Sequence, residues 1–199
     1  MLVKTIVTGM YEENCYLLIN EKTNSCAIVD PGDEFSKIEK EIEELKVTPK
    51  FILLTHAHFD HVGAVKELQD KYKIPFYMNE NEDAYVKNDN TVFGNLEKAD
   101  KFLCDGDVIN LDDIEIKVIH TPGHTKGGVC YLGDRKLISG DTLFQGSVGR
   151  ADFPGGDMNE LIKSINLKLL NIGDDVEVYP GHGPKTTIGF EKKMNPFLN

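Results

Sequence analysis

Thr55-His56-Ala57-His58-Phe59-Asp60-His61 follows directly on Phe51-Ile52-Leu53-Leu54, a short continuous apolar run. Such a run suits a strand buried on both faces. Beyond it, Val62, Val65 and Leu68 recur at the spacing of one helical face. The histidine stretch therefore belongs to a strand-to-helix connection, where a rigid scaffold holds side chains at the end of a sheet. In an extended segment, residues two apart point the same way, so His56 and His58 can reach one ion as a pair. Where the chain bends into the helix, Asp60 and His61 can aim at a neighbouring position.

The same grammar recurs downstream. Ile114–Ile119 reads as a strand ending at His120-Thr121-Pro122-Gly123-His124, and Leu137–Ser139 as one ending at Gly140-Asp141. Glu177–Tyr179 ends at Pro180-Gly181-His182, after a helix predicted over Asn159–Leu170. Upstream, Leu2–Val7, Cys15–Ile19 and Cys26–Val29 read as strands closed by the turn Asp30-Pro31-Gly32, with a helix over Phe35–Leu45. Four separate strand ends thus deliver His or Asp. His56, His58, Asp60, His61, His124, Asp141 and His182 are the candidate ligands of two divalent metal ions. Imidazole suits zinc, the first expectation, and also iron, while carboxylate extends the range to manganese. A structural zinc site would be closed by thiolates, whereas His and Asp ligands shared between two ions leave open positions for water. His120 stays outside the set, either bonding behind a ligand or packing at a strand end.

The rest of the chain bounds the alternatives. Its 199 residues fit one domain spanning 1–199, with 40% hydrophobic and 28% charged residues. No apolar run reaches the roughly 18 residues of a membrane span, and Met1–Val7 reads as a strand rather than a signal peptide. A cytoplasmic enzyme is the resulting expectation. With 33 acidic against 22 basic residues the net charge is −11, which disfavours a nucleic-acid partner. Cys15, Cys26, Cys104 and Cys130 form no Cys-x-x-Cys pair, so neither a disulfide framework nor a thiolate zinc site is expected. Gly146-Ser147-Val148-Gly149 lacks the spacing of a serine nucleophile elbow, and Gly183–Thr186 lacks that of a phosphate loop. The sequence sets no oligomeric state.

Taken with Asp30-Pro31-Gly32, Thr121–His124, Ser139–Asp141 and Pro180–His182, the histidine motif resembles the metallo-β-lactamase superfamily, and within it the glyoxalase II-like hydrolases. The resemblance implies an α/β (α+β) fold, a four-layer αβ/βα sandwich of two mixed sheets flanked by helices, with the metals at one edge. It also implies that His56, His58 and His124 hold one ion, that Asp60, His61 and His182 hold the other, and that Asp141 bridges them. Gly149–Gly156 and Gly181–Phe197 look like a short-chain subgroup. Glutathione-specific members append a helical domain after the last ligand, and this chain ends at Asn199 without one.

The chemistry expected is hydrolysis of a small-molecule thioester or ester. A water shared by two cations has its pKa lowered from about 15.7 towards neutrality, so no protein nucleophile is required. Asp60 is expected to act as ligand or as holder of that water's proton, and Arg150 to anchor a substrate carboxylate or order its own loop. The alternative is an oxidoreductase. Persulfide dioxygenases resemble this pattern but use one iron, on the counterparts of His56, His124 and Asp141, beside a loop similar to that of Arg150 and Asp152. β-Lactam hydrolysis ranks below both on the absence of a signal peptide.

Overall fold

A computed structural model describes residues 1–88 and 91–198. The first half runs β1 (Leu2–Thr8), β2 (Glu13–Asn20), β3 (Ser25–Val29), α1 (Phe35–Leu45), β4 (Thr48–Leu53), α2 (Phe59–Val62), α3 (Val65–Tyr72), β5 (Phe76–Asn79), α4 (Glu80–Asn88) and β6 (Lys101–Leu103). Its six strands form one sheet in chain order, antiparallel through β1–β2–β3 and parallel through β3–β4–β5–β6. The second half runs β7 (Val108–Leu111), β8 (Ile114–His120), β9 (Val129–Gly133), β10 (Lys136–Gly140), the hairpin β11 (Leu143–Phe144) and β12 (Ser147–Val148), α5 (Met158–Ser164), β13 (Glu177–Pro180), β14 (Thr186–Thr187) and α6 (Ile188–Met194). The second large sheet has the order β14-β13-β10-β9-β8-β7, with β10 and β13 parallel and the other pairs antiparallel.

Period-two alternation along the strands explains how two sheets and two helix layers share one chain. On β2, Tyr16 and Leu18 enter the core between the sheets, while Cys15, Leu17 and Ile19 pack with Ile38 and Ile42 of α1 and Val65 and Leu68 of α3. On β4, Phe51 and Leu53 face inward and Ile52 faces the helices. The second sheet repeats this. Tyr131, Ile138 and Tyr179 point between the sheets, and Cys130, Leu137 and Val178 point to Leu161 and Ile165 on the other side. β4, β10 and β13 thus bury apolar side chains on both faces near the site, whereas β8 exposes Glu115 and Lys117 on its outer face. The result is the mixed α/β sandwich implied by the resemblance, helices outside. Cys15, Cys26 and Cys130 are free and buried, as their apolar neighbours suggested.

Two details differ from the sequence expectation. The helix begun by Val62 is broken, with α2 ending at Val62 and α3 starting at Val65, so Phe59, Asp60 and His61 lie within a helical turn. The helix expected over Asn159–Leu170 is α-helical only to Ser164 and continues as a π turn over Ile165–Leu169. Its N-terminus is capped by Asp157, whose carboxylate accepts the Asn159 and Glu160 N–H groups. Among the described residues, no helix is long and apolar enough to cross a membrane.

Candidate metal centre

The C-terminal ends of β4, β8, β10 and β13 meet at one edge of the sandwich. β4 belongs to the first sheet and the other three to the second, so the edge lies where both sheets open. All seven residues expected from the sequence converge there. His124 Nε2 is 3.2 Å from His56 Nε2 and 3.0 Å from His58 Nδ1. Three ring nitrogens this close, facing one point, match a tetrahedral zinc site, whose Zn–N bonds of about 2.0–2.1 Å place neighbouring nitrogens roughly 3.3 Å apart. Asp60, His61 and His182 form a second group of donor atoms lying within 4.8 Å of one another. Asp141 stands between the groups, with Oδ1 3.5 Å from His61 Nε2 and Oδ2 3.6 Å from His124 Nε2 and 3.7 Å from His182 Nε2.

The far nitrogens and their partners orient the rings. His124 Nδ1 donates to the Arg150 carbonyl at 2.7 Å, and His182 Nδ1 to the Tyr11 carbonyl at 3.0 Å. His61 Nδ1 donates to Asp30 Oδ2 at 3.2 Å. Thr55 Oγ1 donates to Asp30 Oδ2 at 2.5 Å, which leaves it free to accept from His56 Nδ1 at 3.1 Å. Each of these four rings thereby turns the lone pair of Nε2 to the site. Among the described residues, buried His61 Nε2 and Asp141 Oδ1 find no hydrogen-bond partner, an expensive state that a shared cation would relieve.

The electrostatics of the three-histidine group agree with that fit, whereas at His61 and His182 burial opposes protonation but the surrounding carboxylates prevail and raise both rings above their ordinary range. Burial, reinforced by the neighbouring imidazoles, pushes His56 and His124 below their ordinary range and His58 down to about 3, so these rings stay neutral. Burial opposes ionisation of Asp141, but the His61 ring beside it, with His182 adding to the effect, outweighs it and holds the carboxyl well below the usual range. Neutral imidazoles and ionised carboxylates are the forms that bind metal.

The local sequence explains how the loops reach this arrangement. Asp30, at φ 47° in the left-handed region, accepts the Thr55 N–H at 2.7 Å and so joins the ends of β3 and β4. Asn14 Nδ2 donates to the Pro180 and Gly183 carbonyls, and Tyr16 Oη to Pro180, bracing the His182 loop against β2. The Asp157 N–H donates to the Gly123 carbonyl and Ser164 Oγ to Pro122, so α5 supports the His124 loop. Gly181 packs directly behind the ligands: a Cβ there would lie 2.2 Å from Asp141 Oδ1 and 2.8 Å from His61 Cε1. Gly181→Ala is therefore expected to push Asp141 and His61 off their positions. Metal content by elemental analysis should fall, and turnover should drop about 100-fold, the penalty for an ångström-scale misplacement.

Above the cluster opens a cavity of about 590 Å³. His58, Asp60, His124, Asp141 and His182 form its floor, and Tyr11, Phe59, Val92, Phe144 and Phe153 its walls. Tyr11 and Phe59 meet edge to face at 5.2 Å. Arg150 also lines the cavity, but its guanidinium is engaged: Nε and Nη2 donate to the two carboxylate oxygens of Asp152 at 2.6 and 2.7 Å. It also lies 3.8 Å over the Phe153 ring. Ordering its own loop is thus visible in the geometry. His120 lies apart from the ligands, its Nε2 donating to the Lys126 carbonyl at 2.8 Å.

Sequence reading missed the supporting carboxylates. Asp30 was legible only as a turn, and Glu13 and Glu82 not at all. Glu13 is buried at the start of β2, 3.8 Å from His61 Nδ1, where Thr8 Oγ1 donates to it at 2.8 Å. An acid beside the apolar run Cys15–Ile19 was the available signal. Nothing distinguished Glu82 from Glu80 and Asp83 beside it.

Fold and site together define a metal-binding edge on a four-layer sandwich, and the chain belongs to the metallo-beta-lactamase superfamily, whose model matches residues 9–182. Members of that superfamily bind divalent metals, and the His and Asp clusters here are groups that could hold them. The hydroxyacylglutathione hydrolase GloC of Haemophilus influenzae is similar to it, 39% identical over 211 residues that cover 100% of this chain and 99% of that protein. Among solved structures, the BLEG-1 B3 metallo-beta-lactamase matches with a TM-score of 0.91 at 36% identity, covering 100% of both chains. TTHA1623 in a di-iron-bound form matches at 0.85 and 36% identity, covering 98% of this chain and 100% of that one. ETHE1 from Myxococcus xanthus matches at 0.84 and 25% identity, covering 98% and 84%.

Proposed function

We propose that this chain is a binuclear metallohydrolase of the glyoxalase II type, cleaving small thioesters or esters. The observation that carries the reading is the pair of donor groups flanking Asp141 on the floor of an aromatic-walled cavity. His56, His58 and His124 would hold one ion and Asp60, His61 and His182 the other, with Asp141 shared between them. Bound there, divalent cations supply a Lewis acid and a water acidified towards neutrality. Zinc is the first choice for the donor set, with iron or manganese also suited.

The chain's own residues do the rest. Phe59, Phe144 and Phe153 form an apolar surface that seats the acyl and sulfur portions of a thioester and displaces bulk water around the carbonyl. Asp60 Oδ2 lies 3.4 Å from His182 Nε2. Burial raises the Asp60 carboxyl, but the bond to His182, with the His61 ring nearby, prevails and holds it below its ordinary range. A weak base of this kind orients an attacking water by accepting its proton in a hydrogen bond. Arg150, paired with Asp152 at the cavity, would meet a substrate carboxylate with the guanidinium edge that Asp152 leaves open. The full-length likeness to GloC supports glutathione thioesters as substrates, since that relative is matched over 99% of its length. A cytoplasmic setting fits such a substrate.

Metal content of the purified protein, paired with hydrolysis of S-D-lactoylglutathione under oxygen monitoring, tests this. Close to two ions per chain with thioester turnover is the expected result. The Arg150–Asp152 pair, in a loop similar to that of the persulfide dioxygenases, favours the second reading, a mononuclear-iron persulfide dioxygenase. One iron per chain, with oxygen consumed on glutathione persulfide, would establish that reading instead. Turnover confined to a chromogenic cephalosporin would replace both with β-lactam hydrolysis, the activity for which the BLEG-1 B3 metallo-beta-lactamase is named.

A further inference from the structure

Glu82 lies in the first turn of α4 with no exposed surface, and among the described residues it forms no ion pair. A buried carboxylate without a cation is costly unless donors satisfy it. Two backbone N–H groups donate to it, Ala57 N at 2.9 Å to Oε2 and Gly127 N at 2.8 Å to Oε1, and the Thr125 hydroxyl beside it also favours the charged form. Ala57 separates His56 from His58, and Gly127 lies on the loop just after His124. One side chain therefore joins the strand end of the first sheet to the loop of the second that carries the third histidine. The approach depends on a bare backbone, because a Cβ at Gly127 would come 2.6 Å from Glu82 Oε1 and 2.7 Å from its Cγ. On its other side the Ala57 carbonyl accepts the Gly94 N–H at 2.9 Å, so the peptide between the two histidines is held at both edges.

We propose that Glu82 is a positioning residue for the three-histidine site, setting the distance between the His56–His58 segment and the His124 loop. The inference rests on reading those histidines as one metal site. Only a carboxylate can accept from both N–H groups; a glutamine of the same shape accepts from one and turns its own NH₂ towards the other.

The test uses Co(II) as the probe, with affinity from chelator competition, the visible absorption bands as the signature of coordination, and thermal melting alongside. In Glu82→Gln, Co(II) affinity at the three-histidine site is expected to fall about 10-fold or more, the usual effect of losing support behind a ligand. Its bands should shift, while the second site keeps wild-type affinity. Glu82→Asp, which keeps the charge but shortens the reach, should recover part of the loss. A lower melting temperature with unchanged affinity and bands would overturn the proposal and leave Glu82 a packing residue. Wild-type protein that takes up no Co(II) would overturn the metal-site reading, and this inference with it. Should the variants fail to accumulate, hydrogen exchange on the wild-type protein decides. Protection of the Ala57 and Gly127 amides that survives removal of metal by chelator supports positioning by Glu82, and exchange at exposed-loop rates after removal overturns it.

Discussion

Replacing Asp141 by alanine is expected to deplete both metal positions and to lower hydrolysis about 1,000-fold, the effect of losing several kcal/mol of charge stabilisation at roughly 1.4 kcal/mol per factor of ten. The physical reason is its place between the two groups. Its Oδ1 faces His61 Nε2 at 3.5 Å, and its Oδ2 faces both His124 Nε2 and His182 Nε2. Its charge also lies within 4 Å of imidazoles from both groups. His58→Ala is the informative contrast. It removes a donor from the three-histidine group alone and should leave close to one ion per chain, held by Asp60, His61 and His182. Elemental analysis of the two purified variants distinguishes the outcomes. Equal metal loss in both would mean that the two positions fill only together, and unchanged content in the Asp141 variant would remove it from the ligand set.

The largest effect on stability is expected at Asp30. Its two carboxylate oxygens accept the Thr55 N–H at 2.7 Å, the Thr55 hydroxyl at 2.5 Å and the His61 ring at 3.2 Å, all buried. Asp30→Ala strands these donors, a loss of about 3–5 kcal/mol by analogy with removing one member of a buried pair. It also places a residue with no local hydrogen-bonding side chain at φ 47°, a region that L residues other than Asn and Asp rarely adopt. At about 2–4 °C per kcal/mol for a chain of this size, the melting midpoint of metal-depleted protein should fall by about 6–20 °C. Calorimetry on the metal-depleted protein checks this without interference from ligand stabilisation. A drop that appears only in the metal-loaded protein would mean that Asp30 acts through His61 alone.

How much of this was legible before the structure differs by kind of residue. The seven donors were readable because each sits just after a run with strand periodicity, and because His and Asp at four such ends is a rare coincidence. The helix over Phe35–Leu45 was readable from its spacing, since Ile38 and Ile42 do bury on one face. The π turn at Ile165–Leu169 was not, because one extra backbone residue per turn leaves the apolar pattern almost unchanged. Arg150 was readable as a cavity candidate but not as one already paired with Asp152.

By itself, then, the sequence determined the strand ends, the candidate donor residues and the superfamily, since these depend on residue type and short-range spacing. The tertiary structure decided what no local pattern encodes. It put β4 of one sheet beside β8, β10 and β13 of the other, set Asp141 between two groups of candidate ligands, and brought Asp30 and Glu82 behind the histidines. Glu82 shows why: it is 25 positions from Ala57 and 45 from Gly127, and only the packing of α4 against both loops makes its carboxylate the acceptor that their N–H groups require.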